Sequence, residues 1–458
     1  MSGSGRARPT PDRLAPVSRA SLGLPSVKVL VIGSGAREHA IVHALARDPD
    51  VTQVVAVPGN PGIALEPRAR CVARADITDP AGTAQLCAEQ GPDLVLIGPE
   101  APLVAGVADA VRERGIACFG PSALAARLEG SKAFAKEVMA EAGVPTALAH
   151  VCTTEAQLRA ALDATGAPYV VKDDGLAAGK GVVVTGDLAA AIEHGRRCLA
   201  KDDGRVVVEE FLDGPEVSLF CLTDGRTVLP LAPAQDFKRA GDQDSGPNTG
   251  GMGAYSPLPW ADPELVAQVL ERIARPTVAQ MRRRGTPFAG VLYVGLALTA
   301  RGPRVVEFNA RFGDPETQVV LARLRTPLGM LLRAVAEGRL EEVPPLQWHD
   351  DAAVTVVLAA PGYPEAPTTG GRLGGLAEAA QVEGVYLLHA GTREDDNALV
   401  AAGGRVLSVV ALGADLDQAR QRAYAAMRAI DLPGGHYRTD IAAEAAAGTV
   451  TVPAVQRG

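Results

Sequence analysis

The stretch Val27-Lys28-Val29-Leu30-Val31-Ile32-Gly33-Ser34-Gly35-Ala36-Arg37-Glu38-His39 decides the fold class of this chain. Val27 to Ile32 reads as a buried strand, Gly33-Ser34-Gly35 as a tight turn, and Ala36 to Arg47 as an amphipathic helix. Further apolar runs at Val54 to Val57 and at Leu94 to Ile97, the second closing on Gly98-Pro99-Glu100, alternate with helical stretches. That alternation predicts an α/β fold with a doubly wound parallel sheet.

A strand that passes through Gly-x-Gly into a helix gathers backbone N–H groups and the positive end of the helix at one point, which suits a phosphate. A dinucleotide fold is the tempting reading, and two details oppose it. Glu38 stands where the third glycine of G-x-G-x-x-G belongs, and the second strand ends in Pro58-Gly59-Asn60 with no acid to hold a ribose. An NAD oxidoreductase is therefore disfavoured, while phosphate binding survives. Gly33 and Gly35 could simply make a turn, but Arg37, Glu38 and His39 at the opening of the helix are more than a turn requires.

The bulk composition sets the frame. A chain of 458 residues is too long for one compact core and implies about two to four domains. With 47% hydrophobic and 21% charged residues it is a globular protein rather than a disordered one. No apolar run approaches the roughly 20 residues needed to cross a bilayer, and the chain opens without a signal-type apolar stretch. The expected setting is cytoplasmic, with no membrane partner. A net charge of −8 argues against nucleic-acid binding, so any anionic substrate must meet local cations. Six cysteines, none paired at metal-binding spacing, read as small core residues of a reducing compartment.

Residues 1–26 are rich in Arg, Ser, Pro and Gly and read as a disordered arm. The domain expectation that follows is 27–127 for the first α/β unit, 128–342 for a central unit holding most of the chemistry, and 350–450 for a small α+β unit after the Val343-Pro344-Pro345 linker.

Two lysines mark the central unit. Val170-Val171-Lys172 is a strand ending in a lysine, followed by the loop Asp173 to Gly181, in which Gly175, Gly179 and Gly181 supply flexibility and Lys180 a further cation. Small residues let the backbone approach phosphate oxygens closely, although the Walker A spacing is absent. Lys132 opens a predicted helix and is a second phosphate candidate. Downstream, Val206 to Phe211 reads as a strand whose edge can offer backbone groups to an adenine, while carboxylates such as Glu210 and Glu216 accept from the nucleotide's amine or ribose hydroxyls. Alone, that run would be an ordinary edge strand with solvated acids.

Arg304-Val305-Val306-Glu307-Phe308-Asn309-Ala310-Arg311-Phe312-Gly313-Asp314 carries the most chemistry. Residues two apart in a strand share a face, so Glu307 and Asn309 offer two hard oxygen ligands to one point, while Phe308 turns to the core. Such a pair suits magnesium, which takes one or two protein ligands plus phosphate and water. Arg311 joins that face if the strand continues, and a guanidinium there offsets charge in an acyl-phosphate transition state.

In order and spacing these residues resemble the ATP-grasp superfamily. Several strings resemble the phosphoribosylamine-glycine ligase family in particular: Val31 to Ala40, Pro58 to Gly62, Asp174 to Gly181, Gly246 to Pro257, Glu307 to Thr317, and His389-Ala390-Gly391-Thr392. The resemblance implies a preATP-grasp domain, an ATP-grasp body with a lid inserted at about 147–215, and a C-terminal domain. It implies ATP as co-substrate, Mg2+ or Mn2+ on Glu307 and Asn309, and catalytic roles for Lys172 and Arg311. Lys132, Lys172, Gly175, Gly179, Lys180, Gly181, Glu209, Glu210, Leu212 and Glu216 would bind ATP. Gly33, Gly35, Arg37, Glu38, Gly59, Asn60, Asp236, Lys238, Arg311 and Asp314 would meet glycine and 5-phosphoribosylamine, in a monomer or weak dimer. Asp173 departs from the family's small residue there, and Val291 to Leu298 lacks the metal carboxylate that many ATP-grasp enzymes carry. The rival readings are another ATP-grasp ligase with a different acceptor, which the Gly246 to Pro257 string opposes, and a sensor that binds ATP without turnover.

Overall fold

The structure is a computed structural model, and it describes residues 26–176 and 181–455. The first sheet contains β1 (Val27–Gly33), β2 (Val51–Pro58), β3 (Ala69–Cys71), β4 (Leu94–Ile97) and β5 (Ala117–Phe119), all parallel, in the order β3-β2-β1-β4-β5. Its strands are valine- and leucine-rich because helices cover both faces and no residue in the middle of β1 meets water. The chain winds one way from β1 to β2 and the other way to β4, so the crevice at the ends of β1 and β4 is a switch point. Gly33 and Gly98 lie there, and the expected helix runs from Ala36 to Arg47.

The next sheet stands apart with its own core. It contains β6 (Ala149–Cys152), β7 (Tyr169–Asp173), β8 (Val182–Thr185) and β9 (Val206–Glu209) in the antiparallel order β6-β9-β7-β8. Leu158, Leu162, Val171, Ala191, Cys198, Val206 and Val208 pack together between this sheet and the helices Glu155–Thr165 and Leu188–Leu199. Strand β9 stops at Glu209, two residues before the expected end at Phe211.

Beneath it lies the sheet of β10 (Glu216–Asp224), β11 (Val228–Pro230), β16 (Ala289–Thr299) and β17 (Gly302–Asn309), ordered β11-β10-β16-β17. The last large sheet runs β12-β15-β18-β22-β19, from β12 (Gln235–Asp236), β15 (Gly253–Ser256), β18 (Ala352–Ala359), β19 (Val385–His389) and β22 (Arg405–Gly413). The strands from 235–256 thus continue a sheet whose other members begin about a hundred residues later. The hairpin β13 (Arg239–Gly241) with β14 (Ser245–Asn248) pairs only internally, whereas in the hairpin β20 (Thr392–Asp395) with β21 (Ala398–Ala401) Val400 also bridges to Arg372. All six cysteines are free and five are buried, as expected of core residues. Among the described residues no helix is long and apolar enough to cross a membrane.

Candidate active site

A cleft of about 1690 Å³ runs between the β6–β9 sheet, the β10–β17 sheet, the first domain and the C-terminal sheet. Strand β7 delivers Lys172 to it, buried, with Nζ 2.9 Å from Glu209 and 3.0 Å from the Val306 carbonyl. The same Glu209 receives Lys136 at 3.2 Å. Glu209, expected to bind ATP, therefore sits between two lysines. Lys136 was missed by sequence reasoning although its signal was present: it lies one helical turn beyond Lys132 on the helix Lys132–Ala142, at the i, i+4 spacing that shares a face. Burial pulls the Lys136 ammonium down to about 8, against the opposing pull of Glu209.

Lys132 donates to the Gly175 carbonyl at 2.9 Å, and Asp174 caps the start of the same helix through Ser131 and the Ala133 N–H. Asp173 pairs with Lys201, away from the lysine cluster, as strand alternation predicts. Gly175 and Gly181 line the cleft, whereas Gly179 and Lys180 lie outside the described residues. Glu210 accepts from the Leu148 N–H at 3.0 Å and pairs with Arg301 at 3.0 Å; Leu212 and Glu216 also line the cleft, and Glu216 pairs with Lys238.

On β17, Glu307 and Asn309 face the cleft together, the Asn309 amide 3.4 Å from the Glu307 carboxylate, while Phe308 is buried. Burial pushes the Glu307 carboxyl up, but Lys238, Lys172 and Lys132 overcome it and hold it below its ordinary value. An ionised carboxylate beside an amide oxygen is a donor set that fits a hard divalent cation. Among the described residues no group of three or more His, Cys, Asp or Glu side chains gathers to hold a metal. Opposite them on β16 stand Gly295 and Tyr293. A Cβ at Gly295 would approach Glu307 Cγ to 3.2 Å, so that position leaves little room for a further acid.

Strand β17 ends at Asn309, so Arg311 does not continue its face. It turns to Glu129 at 2.9 Å and Glu100 at 3.3 Å, joining the body to the first domain. Burial raises the Glu129 carboxyl, opposed by Arg311, and Glu129 also accepts the Ala310 N–H at 2.7 Å. Asp236 lies near Lys238; burial lifts its carboxyl to about 7 despite that lysine, with Glu316, Glu216 and Glu307 adding repulsion.

The glycine turn takes a supporting position. Glu38 is buried, accepts from the Gly35 N–H at 2.7 Å and from Arg37 at 2.6 Å, and fills the space over Gly33 and Gly98, where a Cβ would meet it at 2.5 and 2.1 Å. The Gly59 N–H donates to the Gly33 carbonyl. Asn60, expected at substrate, spends its side chain inside the protein. Its Oδ1 accepts from the Ile63 N–H, and its Nδ2 donates to the carbonyls of Ser34 and His389. From this region Arg37 reaches the cleft lining; Gly33, Gly35, Glu38, Gly59 and Asn60 are not part of it. Asp314 lies in the lining, with Gln318 at 2.7 Å and Arg405 at 3.2 Å. Arg405, at the start of β22, also donates to the carbonyls of Gly250 and Asp314 at 2.7 and 2.9 Å. Nothing in the sequence singled it out, because its partners lie 91 and 155 positions away.

Lysines brought by a separate antiparallel sheet and by a helix start converge beside a carboxylate and an amide on one strand, and fold and site together place the protein among the ATP-grasp ligases. The chain belongs to the phosphoribosylglycinamide synthetase family. Family models match the N domain over residues 27–129, the ATP-grasp (A) domain over 130–317 and the C domain over 353–444. The chain is 64% identical to the phosphoribosylamine–glycine ligase of Streptomyces coelicolor, covering 92% of this chain and 100% of the relative. It is 56% identical to that of Mycobacterium tuberculosis, covering 93% and 100%. The crystal structure of the Thermotoga maritima phosphoribosylamine–glycine ligase matches with a TM-score of 0.77 at 34% identity, covering 91% of this chain and 100% of that one.

Proposed function

We propose that the chain joins glycine to 5-phosphoribosylamine with ATP, giving glycinamide ribonucleotide, ADP and phosphate in purine biosynthesis. The observation that carries the reading is the convergence of Lys132, Lys136 and Lys172 beside Glu307 and Asn309 in a chain of this family. A glycine carboxylate oxygen attacks the γ-phosphorus, the bond to the β-phosphate oxygen breaks, and ADP leaves. The phosphoribosylamine nitrogen then attacks the carbonyl carbon of glycyl phosphate; the C–N bond forms, the C–O bond to phosphate breaks, and the amine proton passes to solvent or buffer.

Bringing a carboxylate to a triphosphate places two anions together, and fixed cations offset that repulsion. Lys132 and Lys172 hold the triphosphate, with Gly175 and Gly181 covering it, Gly179 and Lys180 as further ATP-binding residues, and Glu210, Leu212 and Glu216 bordering the nucleoside. Glu209, paired with both, aims Lys172 and Lys136. Arg311, held by Glu129 and Glu100, faces the acyl-phosphate charge, and Asp236, Lys238, Asp314 and Arg37 meet the other two substrates. Glu307 and Asn309 would hold Mg2+ or Mn2+, which when bound neutralises phosphate charge.

The test is a steady-state ADP-release assay with magnesium, glycine and freshly generated phosphoribosylamine, each omitted in turn, with the product identified by mass. Release that needs every component and yields glycinamide ribonucleotide supports the reading. ADP formed without glycine, or never formed, removes the substrate assignment.

A further inference from the structure

Eight cationic side chains line the cleft: Arg37, Lys132, Lys136, Lys172, Lys238, Arg239, Arg311 and Arg405. Among the described residues six of them carry a carboxylate partner, from Glu38, Glu209, Glu216, Glu100 with Glu129, or Asp314. Lys132 and Arg239 do not. Lys132 has the triphosphate as its proposed ligand; Arg239 has none. Its guanidinium donates to the Gly246 carbonyl at 2.8 Å, which uses one of five N–H donors.

Arg239 sits on the β13–β14 hairpin, which contributes Asp244, Pro247 and Asn248 to the same lining. The hairpin joins no larger sheet, and three of the four residues of β14 are exposed. A lone two-stranded ribbon is marginal in water, so something else must hold it. That support comes from Arg438-Thr439-Asp440. The Arg438 side chain is 1% exposed, pairs with Asp244 and Asp440 at 2.7 Å each, and lies 4.9 Å from the centre of the Phe237 ring. Its guanidinium also donates to the Arg239 carbonyl at 3.3 Å. Thr439 donates through N–H and hydroxyl to Asp242, and the Gln243 N–H donates to Asp440. These contacts span almost 200 positions of sequence and fix both the tip and the base of the ribbon.

We propose that this hairpin is a substrate wall of the cleft, on which Arg239 binds a substrate oxyanion, either the carboxylate of glycine or the phosphate of phosphoribosylamine, and that Arg438 is the positioning residue that fixes the wall. The proposal rests on the functional reading above and adds the residue that recognises an anionic substrate.

The test measures KM for glycine, KM for phosphoribosylamine and the equilibrium Kd for ATP with magnesium in wild type, Arg239→Ala and Arg239→Lys. The expected result for Arg239→Ala is a rise of about 10- to 100-fold in one of the two KM values, with the ATP Kd changed by less than about twofold and most of the loss recovered in Arg239→Lys. A glycine effect identifies the carboxylate as the ligand; a phosphoribosylamine effect identifies the phosphate. Both KM values within about twofold of wild type, or an ATP Kd weakened as much as KM, overturns the assignment. Amide exchange over residues 239–248 tests the clamp in Arg438→Gln and in the milder Thr439→Val. Faster exchange there than in wild type supports the clamp, and unchanged exchange in both variants overturns it. A wild-type enzyme that releases no ADP with both substrates present overturns the functional reading instead, and the exchange measurement then still decides the clamp.

Discussion

The cleft holds two cation clusters built in different ways. The lysine cluster takes Lys132, Lys136, Lys172 and Glu209 from one stretch of fewer than eighty residues and closes on Glu307 and Asn309, two positions apart on one strand. The arginine cluster takes Arg37 from the first domain, Arg311 and Asp314 from the loop after β17, and Arg405 from the C-terminal sheet; Arg37 donates to the Phe312 carbonyl across 275 positions. In the first, local strand and helix geometry aims the side chains. In the second, the aim depends on how domains dock, so disturbing the C-terminal sheet should reach the arginines and spare the lysines.

The largest effect is expected at the lysine cluster. Glu307→Ala removes the carboxylate that three lysines face, and kcat should fall by at least about 100-fold with the melting temperature nearly unchanged. Circular dichroism melts alongside ADP-release kinetics check both halves, and wild-type turnover would remove the metal assignment.

Arg405→Ala should separate the clusters. It strips Asp314 of its charge partner and the carbonyls of Gly250 and Asp314 of their donor. The expected outcome is a rise of about 10-fold in KM for glycine or phosphoribosylamine, with ATP affinity held. Equal losses for ATP and the other substrates would show that the two clusters act as one.

The smallest effect concerns docking itself. His39 and His389 meet between the first domain and β19: the His389 N–H donates to His39 Nδ1 at 2.7 Å, which requires that nitrogen unprotonated. Burial, with His39 adding to it, takes the His389 imidazole down to about 4, and burial also lowers His39. Between about pH 6.5 and 4 the unfolded chain therefore binds protons that the folded chain refuses, so stability is full above that window and falls as pH drops through it. At about pH 5 the loss from His389 is on the order of 2 kcal/mol. Thermal melts at about pH 7.5 and pH 5 should show a shallower dependence in His389→Gln than in wild type. An unchanged dependence would place the sensitivity elsewhere.

Much of this was legible from the chain. The parallel sheet followed from apolar runs between glycine turns, and β4 and the helix Ala36–Arg47 have the expected bounds. The pairing of Glu307 with Asn309 followed from strand alternation. What failed to follow has a common physical form. Asn60 reads as a loop polar residue free for substrate, but three internal partners consume it, one of them 329 positions away. Arg311 leaves the expected face because β17 ends two residues earlier and the carboxylates of Glu129 and Glu100 draw it aside.

By itself, then, the sequence determined the elements, the family and the residues whose geometry is set within a strand or a helical turn, since periodicity and local spacing act over a few residues. The tertiary structure decided that 235–256 completes a sheet with strands a hundred residues later, that Arg405 faces Asp314, and that Arg438 anchors the hairpin carrying Arg239. Those contacts depend on the docking of separate sheets, and a buried guanidinium chooses its partners by which carboxylates and carbonyls that docking leaves within hydrogen-bond reach.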